Sequence, residues 1–169
     1  MAWEEVSYES VAQKFLEQLP KGAFLSVKGE PDNTLTIGWG AIGYIWRKPV
    51  LLVMVRPSRH SSSLLEKAGE FSVSVPVGQH LQKELLDCGK LSGRDGDKFE
   101  RVKLQKEPSL ALLHTPIVAD CNLQFDCRTL LRQPMDRDAL DEIVREIAYS
   151  NGDEHVFYMA EILACYIKR

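Results

Sequence analysis

Hydrophobic positions along this chain change period several times, and the changes mark its elements. Val11, Phe15, Leu16 and Leu19 recur at helical spacing, with Ser10 as the expected cap and Pro20 as a stop, which predicts a short helix. Gly22 to Val27 is apolar and β-prone, Gly29 to Asn33 is dense in turn residues, and Thr34 to Ile37 resumes a strand pattern. Residues 22–37 therefore predict a hairpin. From Pro49 onward, Val50-Leu51-Leu52-Val53-Met54-Val55 is apolar throughout, the pattern of a strand covered on both faces. Ser61 to Ala68 and Leu81 to Cys88 predict short helices, and Phe71-Ser72-Val73-Ser74-Val75 alternates as a half-buried strand does. Residues 121–131 keep a period of two, with Cys121, Leu123, Phe125, Cys127, Thr129 and Leu131 on one face. Asp136 is then expected to cap an amphipathic helix burying Leu140, Ile143, Val144 and Ile147, and a long strand runs from Val156 to Ile167. Consecutive strands with only short helices between them, and no alternating βαβ units, predict a mainly β fold with peripheral helices. The expected architecture is a closed or nearly closed antiparallel barrel. With no repeat, low-complexity tract or long linker, residues 1–169 read as a single domain.

Composition narrows the function classes. The 21 basic and 24 acidic residues give a net charge of -3, with neither sign concentrated in one half, which argues against a nucleic-acid-binding face. No apolar run approaches the roughly 20 residues that span a bilayer. The first ten residues, MAWEEVSYES, are polar and acidic and lack the pattern of a secretory signal, so the expectation is a cytoplasmic protein with no membrane partner. The four cysteines, Cys88, Cys121, Cys127 and Cys165, form no CxxC pair and read as reduced, buried strand residues rather than metal ligands.

Two clusters place polar residues where a simple barrel would hold apolar ones. In the segment Asn33 to Trp46, Thr34 and Thr36 share a strand face, and Gly38, Gly40 and Gly43 let the backbone bend or approach a ligand. Trp39 and Trp46 add flat surfaces. The segment is either a bulged strand with core tryptophans or one wall of a binding site. The second cluster, Arg56-Pro57-Ser58-Arg59-His60-Ser61-Ser62-Ser63, lies between the apolar strand and a helix start. Two guanidiniums, several hydroxyls and free helix amides suit a phosphate dianion, and the alternative is a solvated turn with a serine cap. Standard motifs are missing: there is no GxGxxG, P-loop, EF-hand ladder or GxSxG elbow. His155 stands just before the last strand, where a barrel mouth would be.

Together these residues resemble a known family. Asn33-Thr-x-Thr-Ile-x-Trp39-Gly, Gly43 and Trp46 before Lys48-Pro49, and Val55-Arg56-Pro57-Ser58-Arg59 are similar to the flavin reductase-like family of FMN-binding split barrels. The closest likeness is to its flavoredoxin group. Cys88-Gly89 with Ser92-Gly93-Arg94-Asp95-x-Asp97-Lys98-Phe99, and His155-x-x-Tyr158-x-x-Glu161-Ile162, match that group's pattern as well. The resemblance implies a six-stranded Greek-key split barrel and a homodimer with one noncovalent FMN near the dimer interface. It implies that Asn33, Thr34, Thr36 and Trp39 line the isoalloxazine and ribityl chain, and that Arg56, Ser58, Arg59 and Ser61 hold the phosphate. Lys98 would approach from its loop, and His155 would contact the flavin or the incoming reductant. His60-Ser61 stands where the family often has Tyr-Thr, and Ala160 where it has glycine.

FMN carries the hydride and electron chemistry itself, which accounts for the lack of an acid–base pair in the sequence. The implied function is an FMN-dependent oxidoreductase, reduced by NAD(P)H or by a redox partner protein in the flavoredoxin manner. Two other readings stay open: a flavin-binding sensor or storage protein without turnover, and a barrel holding another planar cofactor such as haem, with His155 as axial ligand.

Overall fold

The computed structural model describes residues 2–78 and 80–169. Among the described residues, ten strands and five α-helices follow one another. They are β1 (Trp3–Glu5), α1 (Tyr8–Gln18), β2 (Ala23–Val27), β3 (Asn33–Ile37), β4 (Gly40–Ile45), β5 (Lys48–Val55), α2 (His60–Ala68) and β6 (Glu70–Val75). After them come α3 (Gln82–Lys90), α4 (Lys98–Val102), β7 (Lys106–Pro108), β8 (Pro116–Val118), β9 (Leu123–Pro134), α5 (Glu142–Tyr149) and β10 (Val156–Lys168). One antiparallel sheet runs in the order β3-β2-β6-β9-β10-β5-β4, with β1 added along the end of β10. The resemblance implied six strands and this sheet has eight. Six of them, β2, β3, β5, β6, β9 and β10, supply the buried strand residues of the main core, and Ile42 of β4 packs against it.

The core explains why the sheet curls. Leu25, Leu35, Val53, Val73, Phe125 and Tyr158 come from six different strands and belong to one buried cluster. Their alternation along each strand puts one face inward, and removing that apolar area from water drives closure. Helix α1 plugs the barrel with Val11 and Phe15, and the Phe15 ring meets Phe125 edge-on at 5.3 Å. A second cluster (Phe24, Leu85, Cys88, Phe99, Val118) packs α3 and α4 over the outer faces of β2 and β3. All four cysteines are buried and free. Among the described residues, no helix is long and apolar enough to cross a membrane.

The hairpin over residues 22–37 is present as β2 and β3. Several expectations need correction. The first helix starts at Tyr8 with Ser7 in the cap position, while the Ser10 hydroxyl donates to the Ser7 carbonyl and Leu16 is exposed. The β6 segment is not half-buried: its outer serines are covered by the β7–β8 hairpin, the Ser72 hydroxyl donating to Pro116 O and Ser74 Oγ accepting from Val118 N. β5 is not covered on both faces, since Leu52 and Met54 on its outer face are only half-buried. Asp136 caps just a short 3-10 turn, Arg137–Ala139. Asp141 then caps α5 by accepting from Ile143 N. The apolar residues Ile143, Val144 and Ile147 of α5 face outward, and Ile147 is 81% exposed.

Candidate functional site

Three cavities that share lining residues follow one another along the edge of β3 and the end of β5. The first, about 210 Å³, lies among Asn33, Ser58, Arg59, Ser61, Arg94 and Lys98. The second, about 230 Å³, shares Arg59 with it and adds Thr36, Met54, Arg56, Gly89 and His155. The third, about 250 Å³, shares Thr36, Met54, Arg56 and His155 with the second and ends on Gly38 and Trp39. They form one groove with a cationic end and an aromatic end.

Local chain geometry builds the cationic end. β5 runs into a tight turn, with Arg59 N bonded to Arg56 O, and α2 starts immediately after it. No side chain caps α2, and His60 and Ser61 of its first turn line the cavity, with the positive end of the helix dipole behind them. The cations are held by the opposite kind of helix end. The last carbonyls of α3 accept from Arg59 (Nη1 to Gly89 O, 3.1 Å) and Lys98 (Nζ to Cys88 O, 3.0 Å). Helix C-termini attract cations in this way, and the attraction fixes both side chains against the cavity wall. Arg94 reaches in from the next loop, donating to Ser58 O at 3.1 Å. The Asn33 amide donates to Ser61 Oγ at 2.6 Å. Gly93 closes the wall, where a Cβ would collide with the Asn33 side chain and the His60 ring.

Charge here is uncompensated. No Asp or Glu lines the first cavity, yet Arg59, Lys90, Arg94 and Lys98 all do. Lys98 is 2% exposed, and burial, with the Arg59 charge adding to it, brings its ammonium down to about 8. Burial lowers His60 too, followed by the charges of Arg94 and Lys98. Such a site gains most from an anion that restores the missing negative charge.

At the aromatic end the charged donor is already committed. Arg56 donates to Asp153 O at 2.9 Å and Ala148 O at 3.1 Å, and its guanidinium lies over the Tyr149 ring. The Ser58 hydroxyl, back toward the cationic end, donates to Asp153 Oδ2 at 2.5 Å. His155 is brought down to about 4, chiefly by burial and then by Arg56, so its imidazole is neutral at ordinary pH. It stands 5.3 Å from Trp39, whose ring is half exposed.

Nine of the ten residues singled out in the sequence line this groove: Asn33, Thr36, Trp39, Arg56, Ser58, Arg59, Ser61, Lys98 and His155. Thr34 does not. It is fully buried, and its hydroxyl accepts from Ser26 Oγ at 3.0 Å. Arg56 lies in the middle and aromatic parts, apart from the Ser58-Arg59-Ser61 group with which the sequence associated it. Sequence reasoning did not single out Lys90, Arg94 or Met54 as site residues. Arg94 lay in the charged, glycine-containing loop 92–99, which was the available signal. Met54 was hidden inside an apolar run.

Comparison with known proteins fits this geometry. An uncharacterized protein from Archaeoglobus fulgidus is 29% identical over 145 residues, covering 85% of this chain and 71% of its own length. Flavoredoxin from Methanosarcina acetivorans has the same fold, with a TM-score of 0.70 and 21% identity, over 88% of this chain and 68% of its own. The FMN-binding domain of a flavin reductases-like enzyme from Shewanella baltica OS155 gives a TM-score of 0.68 at 17% identity, over 98% of this chain and 77% of its own. The flavin reductase like domain pattern matches residues 20–169, and this chain belongs to that family.

Proposed function

We propose that the groove binds one FMN noncovalently, phosphate at the cationic end and ring at the Trp39–His155 end, and that the protein is an FMN-dependent oxidoreductase. The observation that carries this reading is the first cavity: three held cations, an uncapped helix start and no carboxylate on its walls. That donor set matches a phosphate dianion. A half-exposed indole, Met54 and a neutral imidazole suit a flat, mostly uncharged ring system at the other end.

When bound, the flavin supplies hydride and electron transfer, and the protein's task is anchoring, orientation and electrostatic tuning. Arg59, Arg94, Lys98 and Ser61 anchor. Asn33 orients Ser61, and Arg56 with Ser58 ties the 148–155 segment to the end of β5, which places His155. Reduction comes from NAD(P)H or from a redox partner protein. The purified protein's visible spectrum, recorded anaerobically before and after NADH and then NADPH, tests this. Flavin bands that bleach with either nucleotide establish a reductase, and bands that bleach only with a protein donor establish a carrier. Bands that respond to neither leave a flavin-binding protein without turnover.

The chain is also proposed to work as a homodimer. The outward apolar face of α5 supports it, because Ile143, Val144 and Ile147 lie close together on one exposed helix. A monomeric molar mass in solution, with the flavin retained, would contradict a site shared between chains.

A further inference from the structure

His155 meets the groove on one side and a buried phenol on the other. Tyr149, the last residue of α5, is 2% exposed, and its hydroxyl oxygen stands 2.7 Å from His155 Nδ1. The two rings meet edge-on at 5.6 Å, and Trp39 lies against the imidazole at 5.3 Å. Tyr149 is held independently of the histidine. The Arg56 guanidinium covers its ring and bonds the carbonyls of Ala148 and Asp153, while Arg137 takes the carbonyl of Tyr149 itself at 2.9 Å.

Proton bookkeeping then fixes the tautomer. A buried phenol keeps its proton, and burial raises the Tyr149 value further. That proton needs an acceptor, and among the described residues Nδ1 is the one within reach. A neutral imidazole carries one proton, so accepting at Nδ1 leaves N–H at Nε2. Nε2 is the ring nitrogen that Tyr149 does not engage, and His155 lines both the middle and the aromatic parts of the groove.

We propose that Tyr149 is a positioning residue: its O–H holds His155 as the Nε2–H tautomer, so that the aromatic end of the groove offers a neutral N–H donor to a carbonyl oxygen of the bound reactant. The inference rests on the flavin reading for the identity of that carbonyl, which belongs either to the flavin ring or to a nicotinamide carboxamide. The tautomer itself does not depend on that reading.

Nitrogen NMR of the histidine rings tests it on the full chain, first without flavin. The wild type should show His155 at neutral pH with a protonated Nε2 and an unprotonated Nδ1. Tyr149→Phe keeps the ring under Arg56 and removes the donor, and its His155 should become a mixture of both tautomers with an unchanged circular dichroism spectrum. A wild-type Nδ1–H tautomer, or a Tyr149→Phe protein still wholly Nε2–H, would overturn the proposal. The second step adds FMN, then NAD⁺ to the holoprotein. A shift of the Nε2–H resonance on adding FMN identifies a flavin carbonyl, one that waits for NAD⁺ identifies the carboxamide, and no shift with either overturns the donor role. A chain with the single tautomer that binds no FMN would overturn the flavin reading and leave the tautomer standing.

Discussion

The two ends of the groove lie along the same strand edges but are electrostatically opposite. At the cationic end, Arg59 and Lys98 lean on helix carbonyls while their charge remains unmatched by any carboxylate on the cavity wall. At the aromatic end, Arg56 spends its donors on two carbonyls, and His155 is neutral. A carbonyl fixes a guanidinium without neutralising it, so the first end keeps its attraction for an anion. The second end presents shape and one neutral donor. The difference assigns a direction to any ligand that is charged at one end and flat at the other.

Removing the charge should have the largest effect. In Arg59→Ala/Arg94→Ala the FMN dissociation constant should rise about 1,000-fold, from two lost charge-assisted bonds of roughly 2 kcal/mol each. Isothermal titration would read it, and a change under about tenfold would remove the phosphate assignment. Gly93→Ala should come next. The added methyl would push Asn33 and His60 out of place, weakening FMN about 30-fold by a distortion of roughly 2 kcal/mol, with little effect on riboflavin.

A pH series separates the ends further. Lys98 titrates at about 8, below the ordinary lysine value, so its charge is lost as pH rises through 8. FMN binding should weaken about tenfold between pH 7 and 9.5, and Lys98→Met should flatten that slope. Stability without ligand moves the other way. Above pH 8 the unfolded chain binds a proton that the folded chain does not, so the apoprotein gains stability toward 10.5. The smallest effect belongs to His155, whose folded value is about 4. Between pH 6.5 and 4 the unfolded chain binds the extra proton, so stability falls as the solution is acidified. Discounted for solvent screening, the loss is about 1 kcal/mol. Urea midpoints at pH 7 and 5 would show it, and His155→Gln should reduce the difference.

The long strand β10 was legible because burial on one face writes a period of two into it, and β2, buried along its whole length, was legible as an apolar, β-prone run. The failures share one cause: sequence periodicity reports that a face is apolar, not what covers it. The serines of β6 looked solvent-facing because the β7–β8 hairpin that covers them lies over 40 residues away. The apolar stripe of α5 looked like core, yet this chain leaves it exposed. The site was legible where residues cluster in sequence, as at Ser58, Arg59 and Ser61. It was obscure where the fold brings distant residues together. Arg94 meets Ser58 across 36 positions, and Arg56 reaches Asp153 across 97. Thr34 and Thr36 share a face, as the alternation predicts. Thr34 is buried with its hydroxyl on Ser26 of β2, while Thr36 stays at the groove with its hydroxyl on the Leu85 carbonyl of α3.

The most direct test of the account is a paired titration of the flavin-free protein with FMN and with riboflavin, which differ only in the phosphate. An anion-seeking cationic end predicts that FMN binds at least 100-fold more tightly, and that the gap closes in Arg59→Ala/Arg94→Ala. Equal affinity for the two flavins would contradict it.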